Sequence, residues 1–150
     1  MFVLFPSELQ WLILSYLQSW QLQGFIMEGK ANNMFYTTLS TNPYFRQNFC
    51  LNVWGDYMTE DYIIKILSKT PWLCHLHFDI MNYSARIGPH LKKLTQLSSL
   101  YLYCSNHYMN PELPFSLQQS LRYLLRSNLK ILQFRGISTG GKFQNSISVY

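Results

Sequence analysis

The chain has 150 residues, a length that suits one domain or two small ones. Hydrophobic residues make up 48% of it and charged residues only 13%, so part of the apolar surface is expected to be covered by a partner. The net charge of +5 comes from 12 basic and 7 acidic residues, and Lys92 and Lys93 are the only adjacent basic pair. Such scattered charge argues against a nucleic-acid-binding protein.

Cysteine usage and the N-terminus point to an intracellular protein. Cys50, Cys74 and Cys104 are an odd number without a Cys-x-x-Cys pair, which argues against a disulfide framework or a structural zinc site. Pro6 and Glu8 interrupt the apolar N-terminus and no basic residue precedes residue 30, so no signal peptide is predicted. No run approaches the ~20 apolar residues of a membrane helix. We expect a cytoplasmic or nuclear location and no membrane association.

The first predicted element is an apolar helix. Pro6 and Ser7 are helix-start signals, and Leu9, Ile13 and Leu17 recur at a spacing of four. So short and apolar a helix must be buried by the rest of the chain or by a partner. Periodicity alone favours an ordinary core helix.

Residues 5–17 resemble the opening helix of an F-box, whose pattern is roughly Leu-Pro-x-Glu-Leu, three free positions and an apolar-Ser-Tyr-Leu ending. Residues 33–49 resemble the C-terminal half of that module, with Tyr36 in place of a Trp, Pro43 at the proline position, and Arg46 departing from the pattern. The resemblance implies a helical module over residues 3–50 that binds a Skp-family adaptor and, through it, a cullin. The residues expected to contact the adaptor are Phe5, Pro6, Leu9, Ile13 and Leu14. Those expected to hold the module together are Leu12, Tyr16 and Leu17.

The second half of the chain repeats one apolar pattern. Leu-x-x-Leu-x-(Leu or Phe) occurs at residues 73–78, 97–102 and 129–134, at offsets of 24 and 32 residues. A helix-like segment precedes each match, near residues 63–67, 91–94 and 117–125, and residues 107–114 read as an inserted loop. This arrangement resembles leucine-rich repeats, in which one strand and one helix per unit stack into a solenoid with a continuous core.

The predicted fold class is therefore α/β. A helical F-box at residues 3–50 is followed by about three leucine-rich repeats with parallel strands at 58–138 and an irregular tail at 139–150. Because strand side chains alternate, burying the repeat leucines turns the interleaved residues outward on a concave face. Tyr, His and Arg there have the composition of a recognition surface, although any exposed sheet carries such residues. The candidate target-binding residues are His77, Asp79, Tyr101, Tyr103, Gln133 and Arg135.

No catalytic constellation emerges from the sequence, and no cofactor is expected. His75 and His77 share one strand face and could form half a metal site, but only Asp79 is placed to add a ligand. Two solvent-facing histidines and no metal is the favoured interpretation. Cys74 is expected to point inward between Leu73 and Leu76.

The resemblances imply a non-catalytic substrate-recognition subunit of an SCF-type ubiquitin ligase that binds an unidentified target protein. The alternative is a repeat-protein interaction module without a ligase role, in which the N-terminal helix is only a degenerate cap. A nucleic-acid binder that uses the scattered positive charge is a third, weaker hypothesis.

Overall fold

The computed structural model describes residues 7–28, 34–53, 58–106 and 108–143. Within these ranges the chain is a mixed α/β structure with seven α-helices and one four-stranded parallel sheet. The predicted α/β class is confirmed at this level. Phe5 and Pro6 lie outside the described residues.

Four helices open the described chain. They are α1 (Ser7–Ser15), α2 (Ser19–Glu28), α3 (Met34–Thr41) and α4 (Pro43–Asn48). Asn42 starts α4 as its N-cap, because its side-chain oxygen accepts a hydrogen bond from the backbone N–H of Tyr44 at 2.9 Å. Pro43 follows in the first turn, where its missing N–H costs nothing.

The sheet consists of β1 (Cys50–Val53), β2 (His75–Asp79), β3 (Ser99–Tyr103) and β4 (Ile131–Arg135). The strands lie side by side in chain order, and every neighbouring pair is parallel. In the register Leu51, Leu76, Leu100 and Leu132 form one row, and all four side chains are completely buried. The predicted strands and their inward-facing leucines are thereby confirmed.

Strand β1 was not predicted, and it moves the start of the sheet to residue 50. Leu51 and Val53 occupy the last two apolar positions of the repeat pattern, but Asn48 stands where the other strands carry the leading leucine. Phe49 next to it is buried instead. The sheet therefore begins ahead of the predicted range 58–138.

Helices connect the strands. They are α5 (Glu60–Lys69) between β1 and β2, α6 (Gly88–Lys92) between β2 and β3, and α7 (Phe115–Arg126) between β3 and β4. Thr59 caps α5 by accepting a hydrogen bond from the Tyr62 N–H at 3.2 Å. Helices α5 and α7 each bury an apolar stripe in the same core that the sheet leucines enter.

The helical segment and the sheet share one core. Side chains of α1 and α2, such as Leu14 and Ile26, belong to the same buried cluster as Leu51. The buried Gln23 of α2 donates through Nε2 to the carbonyl of Asn52 in the edge strand β1, at 3.0 Å. The Nζ of Lys69 donates to the carbonyl of Met27 at 3.1 Å. The first bond fixes α2 to the edge of the sheet, and the second fixes α2 to α5.

Candidate functional site

A row of polar side chains crosses the outer face of the sheet. Strand register aligns Asn52, His77, Tyr101 and Gln133, one from each strand. Asn52, His77 and Tyr101 each lie between two buried residues of their own strand, and Gln133 follows the buried Leu132, so the period of two turns all four away from the core. Asn52 is the member that the sequence did not provide, because β1 was not predicted.

This row belongs to a groove of about 950 Å³, which we call the sheet groove. Its aromatic centre is the pair of His77 and Tyr101, whose rings meet edge to face with centroids 4.5 Å apart. The groove is lined by Asn52, His77, Tyr101, Leu102, Tyr103, Cys104, Ser105, Asn106, Met109, Gln133, Phe134, Arg135 and Gly136. Five of the six predicted target-binding residues are therefore brought together, and Asp79 is absent.

Asp79 was predicted to be exposed and available to a ligand, and that prediction is wrong. Its side chain is only 1% exposed. The Oδ1 atom accepts hydrogen bonds from the backbone N–H of Met81 at 3.0 Å and of Ser105 at 3.4 Å. Asp79 thereby caps the short 3₁₀ turn Ile80–Asn82 and ties it to the segment that follows β3.

Tyr103 and Arg135 stand at the carboxyl ends of β3 and β4 and are register partners. Burial, together with the negative charge of Asp79, raises the pKa of Tyr103 to about 12. The phenol therefore stays protonated at neutral pH and can donate a hydrogen bond. Arg135 is exposed.

The segment after β3 closes this end of the groove. Asn106 forms a side-chain turn, its Oδ1 accepting from the Tyr108 N–H at 3.1 Å, and the Met109 N–H donates to the Asn106 carbonyl at 3.1 Å. Gly136 ends β4 with φ of 69°, in the left-handed region that favours glycine. The sequence marked residues 107–114 only as an inserted loop, and it gave no signal that Asn106 and Met109 would line a site.

His75 was interpreted as a solvent-facing histidine, but both of its ring nitrogens make hydrogen-bond contacts within the protein. Its Nε2 lies 2.5 Å from the carbonyl of Gln47 in α4, and its Nδ1 lies 2.5 Å from the hydroxyl of Ser99 in β3. Since a carbonyl can only accept, Nε2 carries a proton. Nε2 thus joins β2 to α4, and Nδ1 joins β2 to β3.

Cys50 and Cys74 are not activated thiols. Burial raises the pKa of Cys50 to about 11 and also raises the pKa of Cys74, so both remain protonated at neutral pH. Cys104 is buried behind the sheet groove. Cys74 was expected to point inward, yet it is half-buried, while Leu73 fills the core. Among the described residues no three His, Cys, Asp or Glu side chains cluster as metal ligands would.

His77 should make the stability of the fold depend on pH. Burial first, and then the neighbouring His75, lower the pKa of His77 below its ordinary 6.5. The unfolded chain then binds a proton more readily, so stability is expected to fall as pH drops below about 6.5.

Thermal melts from about pH 7.5 to about pH 5 should show this loss in the wild type, and a weaker one in His77→Asn. Asn52→Ala, a change in the same row without a titrating group, should keep the wild-type dependence. An unchanged slope in His77→Asn would contradict the prediction.

Helix α1 presents a second surface. The burial of its side chains differs from the predicted division between residues that contact the adaptor and residues that hold the module together. Leu14, expected to contact an adaptor, is 1% exposed and belongs to the core. Leu12 and Tyr16, expected to hold the module together, are 43% and 80% exposed. Ile13 is half-buried against the core, as is Leu17. Leu14 must therefore be removed from the candidate surface.

The exposed apolar side chains of α1 and of the residue that follows it form one stripe. Leu9, which is 44% exposed, is followed three residues later by Leu12, and Tyr16, in the turn directly after α1, extends the row at a spacing of four. Trp20 in α2, 71% exposed, continues the apolar character beyond the helix end. We call Leu9, Leu12 and Tyr16 the α1 stripe.

Comparisons of this chain with protein-family models, with characterised proteins and with solved structures find no match. Within the described residues, no helix is long and apolar enough to span a membrane. Functional conclusions must therefore rest on the two surfaces that the chain itself presents.

Proposed function

We propose that this protein is a non-catalytic adaptor with two binding surfaces, of the F-box and leucine-rich-repeat kind. In this proposal the α1 stripe binds a Skp-family adaptor, and with it a cullin-based ubiquitin ligase, while the sheet groove holds a target protein. Helix α1 and the segment around Pro43 carry the F-box resemblance. The four parallel strands and their connecting helices are the arrangement that leucine-rich repeats would give.

The observation that carries the ligase role is the α1 stripe. A helix buried on one side by Leu14 normally turns polar residues to solvent on the other, but α1 exposes Leu9 and Leu12, and the exposed Tyr16 follows directly after the helix. Those side chains would be covered in a complex. The stripe begins two residues after Ser7, directly behind the motif that resembles the F-box start.

The target-binding role rests on the sheet groove. It combines an aromatic centre, His77 and Tyr101, with hydrogen-bonding groups in one row and a charge at one end. Aromatic and arginine side chains with few competing charges are typical of binding hot spots. The groove and the α1 stripe use different elements, so one chain can hold both partners.

The test is the affinity of the purified protein for a purified Skp-family adaptor. The triple change Leu9→Ala, Leu12→Ala and Tyr16→Ala should weaken binding by about tenfold or more, because each truncated side chain would lose apolar burial in the complex. Circular dichroism should show an intact fold, since these side chains are exposed in the free protein.

A matched control removes exposed aromatic residues elsewhere. Phe115→Ala with Tyr123→Ala changes side chains that are 66% and 48% exposed on α7, and it should leave adaptor affinity unchanged. If the wild-type protein does not bind the adaptor, or if the triple variant binds it equally well, the ligase role is wrong.

The second candidate is a protein-interaction module without a ligase role. It is favoured by the bond from Gln23 to the Asn52 carbonyl, which covers the outer edge of β1 with α2. An exposed strand edge is prone to pair with other chains, so a helix over it is a useful cap. Absence of adaptor binding together with retained peptide binding in the sheet groove would select this candidate.

A further inference from the structure

The permanent charge that lines the sheet groove is positive. Of the thirteen residues that line it, Arg135 alone carries a permanent charge, and none is acidic. The ion pairs seen in the described part of the chain both involve Arg86, with Glu60 and Asp61. The guanidinium of Arg135 is therefore positioned to serve a group from another molecule.

The acidic residue that shares the strand register of Arg135 is Asp79, and its side chain already accepts hydrogen bonds from two backbone N–H groups. Asp79 lies on the same row of the register as Tyr103 and Arg135, two strand spacings from the arginine, or about 10 Å. It is buried, and its Oδ1 is held by two backbone N–H groups. At that separation it weakens the field of Arg135 without pairing with it.

The groups beside Arg135 could also bind an anionic ligand. Tyr103 sits beside Arg135 in the register and can donate a hydrogen bond from its phenol, so an anion there would find two kinds of donor. Tyr101 and His77 offer ring surface one row earlier along the strands. An anionic end and an aromatic middle are thus a few ångströms apart.

The length of the aligned row of polar side chains fits an extended peptide chain. The row from Asn52 to Gln133 spans three strand spacings, about 14 Å, which is the length of about four extended residues. A nucleic acid would bring a phosphate with each nucleotide, whereas among the described residues that line the groove only Arg135 could neutralise one. The groove therefore fits a peptide with a single well-placed negative charge.

We propose that the sheet groove binds an extended peptide segment of the target whose anionic side chain, a carboxylate or a phosphate, pairs with Arg135 beside Tyr103. This proposal rests on the target-binding part of the proposed function and adds the chemistry of the target. It does not depend on adaptor binding.

The probe is a random twelve-residue phage-displayed peptide library selected on the purified full-length chain. We expect the enriched peptides to share one position rich in Asp or Glu, and we expect Arg135→Glu to abolish that preference. Arg126→Glu, the same charge reversal at an exposed position of α7, should retain it. Melting curves should confirm that both variants fold, because both arginines are exposed.

The most enriched peptide is then synthesised with Glu, Gln or phosphoserine at the position that is rich in acidic residues. Replacing Glu by Gln should weaken binding to the wild type about fivefold, and this difference should shrink as salt is raised, as for a solvent-accessible ion pair. Tighter binding of the Glu form than of the phosphoserine form identifies a carboxylate ligand, and the reverse order identifies a phosphate; both outcomes support an anion at Arg135.

Two other outcomes count against the proposal. If Tyr101→Ala abolishes peptide binding but the peptides show no acidic preference, the anionic ligand is wrong and the groove remains a target site. If no enriched peptide depends on Tyr101 or Arg135, both the anionic ligand and the target-binding role of the groove are wrong.

Discussion

Replacing Leu100 by alanine is expected to lower the free energy of unfolding by about 2–5 kcal/mol. Leu100 in β3 is completely buried and lies between Leu76 of β2 and Leu132 of β4, which are also completely buried. The truncation would leave a cavity at the middle of the sheet, where neighbours on both sides are held by strand pairing. Chemical denaturation measures the loss, and the melting temperature should fall by several degrees.

Leu12→Ala is the matched control, because it makes the same chemical change at a leucine that is 43% exposed. It should alter the free energy of unfolding by only about 0.5 kcal/mol. Equal losses in the two variants would show that Leu12 is buried, which would remove the α1 stripe as a docking surface. A small loss in Leu100→Ala would contradict the packing of the sheet.

Replacing Asp79 by alanine is expected to lower the free energy of unfolding by about 1–3 kcal/mol, because the backbone N–H groups of Met81 and Ser105 lose their buried acceptor. Amide hydrogen exchange should accelerate at these two positions in particular. A ligand-binding role for Asp79 would predict weaker target binding with unchanged stability, which is the opposite result.

The Asp79→Asn variant keeps a hydrogen-bond acceptor at this position and removes the negative charge. Both hydrogen bonds go to the same oxygen, Oδ1, and asparagine keeps an oxygen at that position. The Asn variant should therefore be more stable than the Ala variant and should retain slow exchange at Met81 and Ser105. If Asn and Ala are equally destabilising, the negative charge of the carboxylate, and not its position as an acceptor, stabilises the turn.

In the proposed function, one shared core would join the two binding surfaces. Hydrogen bonds from Gln23 to Asn52, and from His75 to Gln47 and Ser99, join the first helices to the sheet. If the α1 stripe docks on a ligase and the sheet groove on a target, the shared core fixes one relative to the other. Variants that break these links should affect presentation of the target even where they touch neither partner.

The sequence alone determined the faces of three strands. The alternation in residues 73–78, 97–102 and 129–134 has a period of two, and that period assigns each side chain to one side of the sheet whatever its neighbours are. The buried row and most of the sheet groove follow from it. Helices α5 and α7 were predictable for a similar reason, since their apolar stripes are local features.

Only the tertiary structure decided the rest. The apolar residues at positions 9 and 11–14 are spread around α1, so the sequence does not say which leucine faces inward. In the folded chain Leu14 and Leu12 exchange their predicted roles. Strand β1 is four residues long and exists because β2 pairs with it. Asp79 is buried, and one of its hydrogen-bond donors, the Ser105 N–H, lies 26 residues further along the chain. Period and capping act between near neighbours, whereas burial and long-range hydrogen bonds depend on which segments the fold brings together.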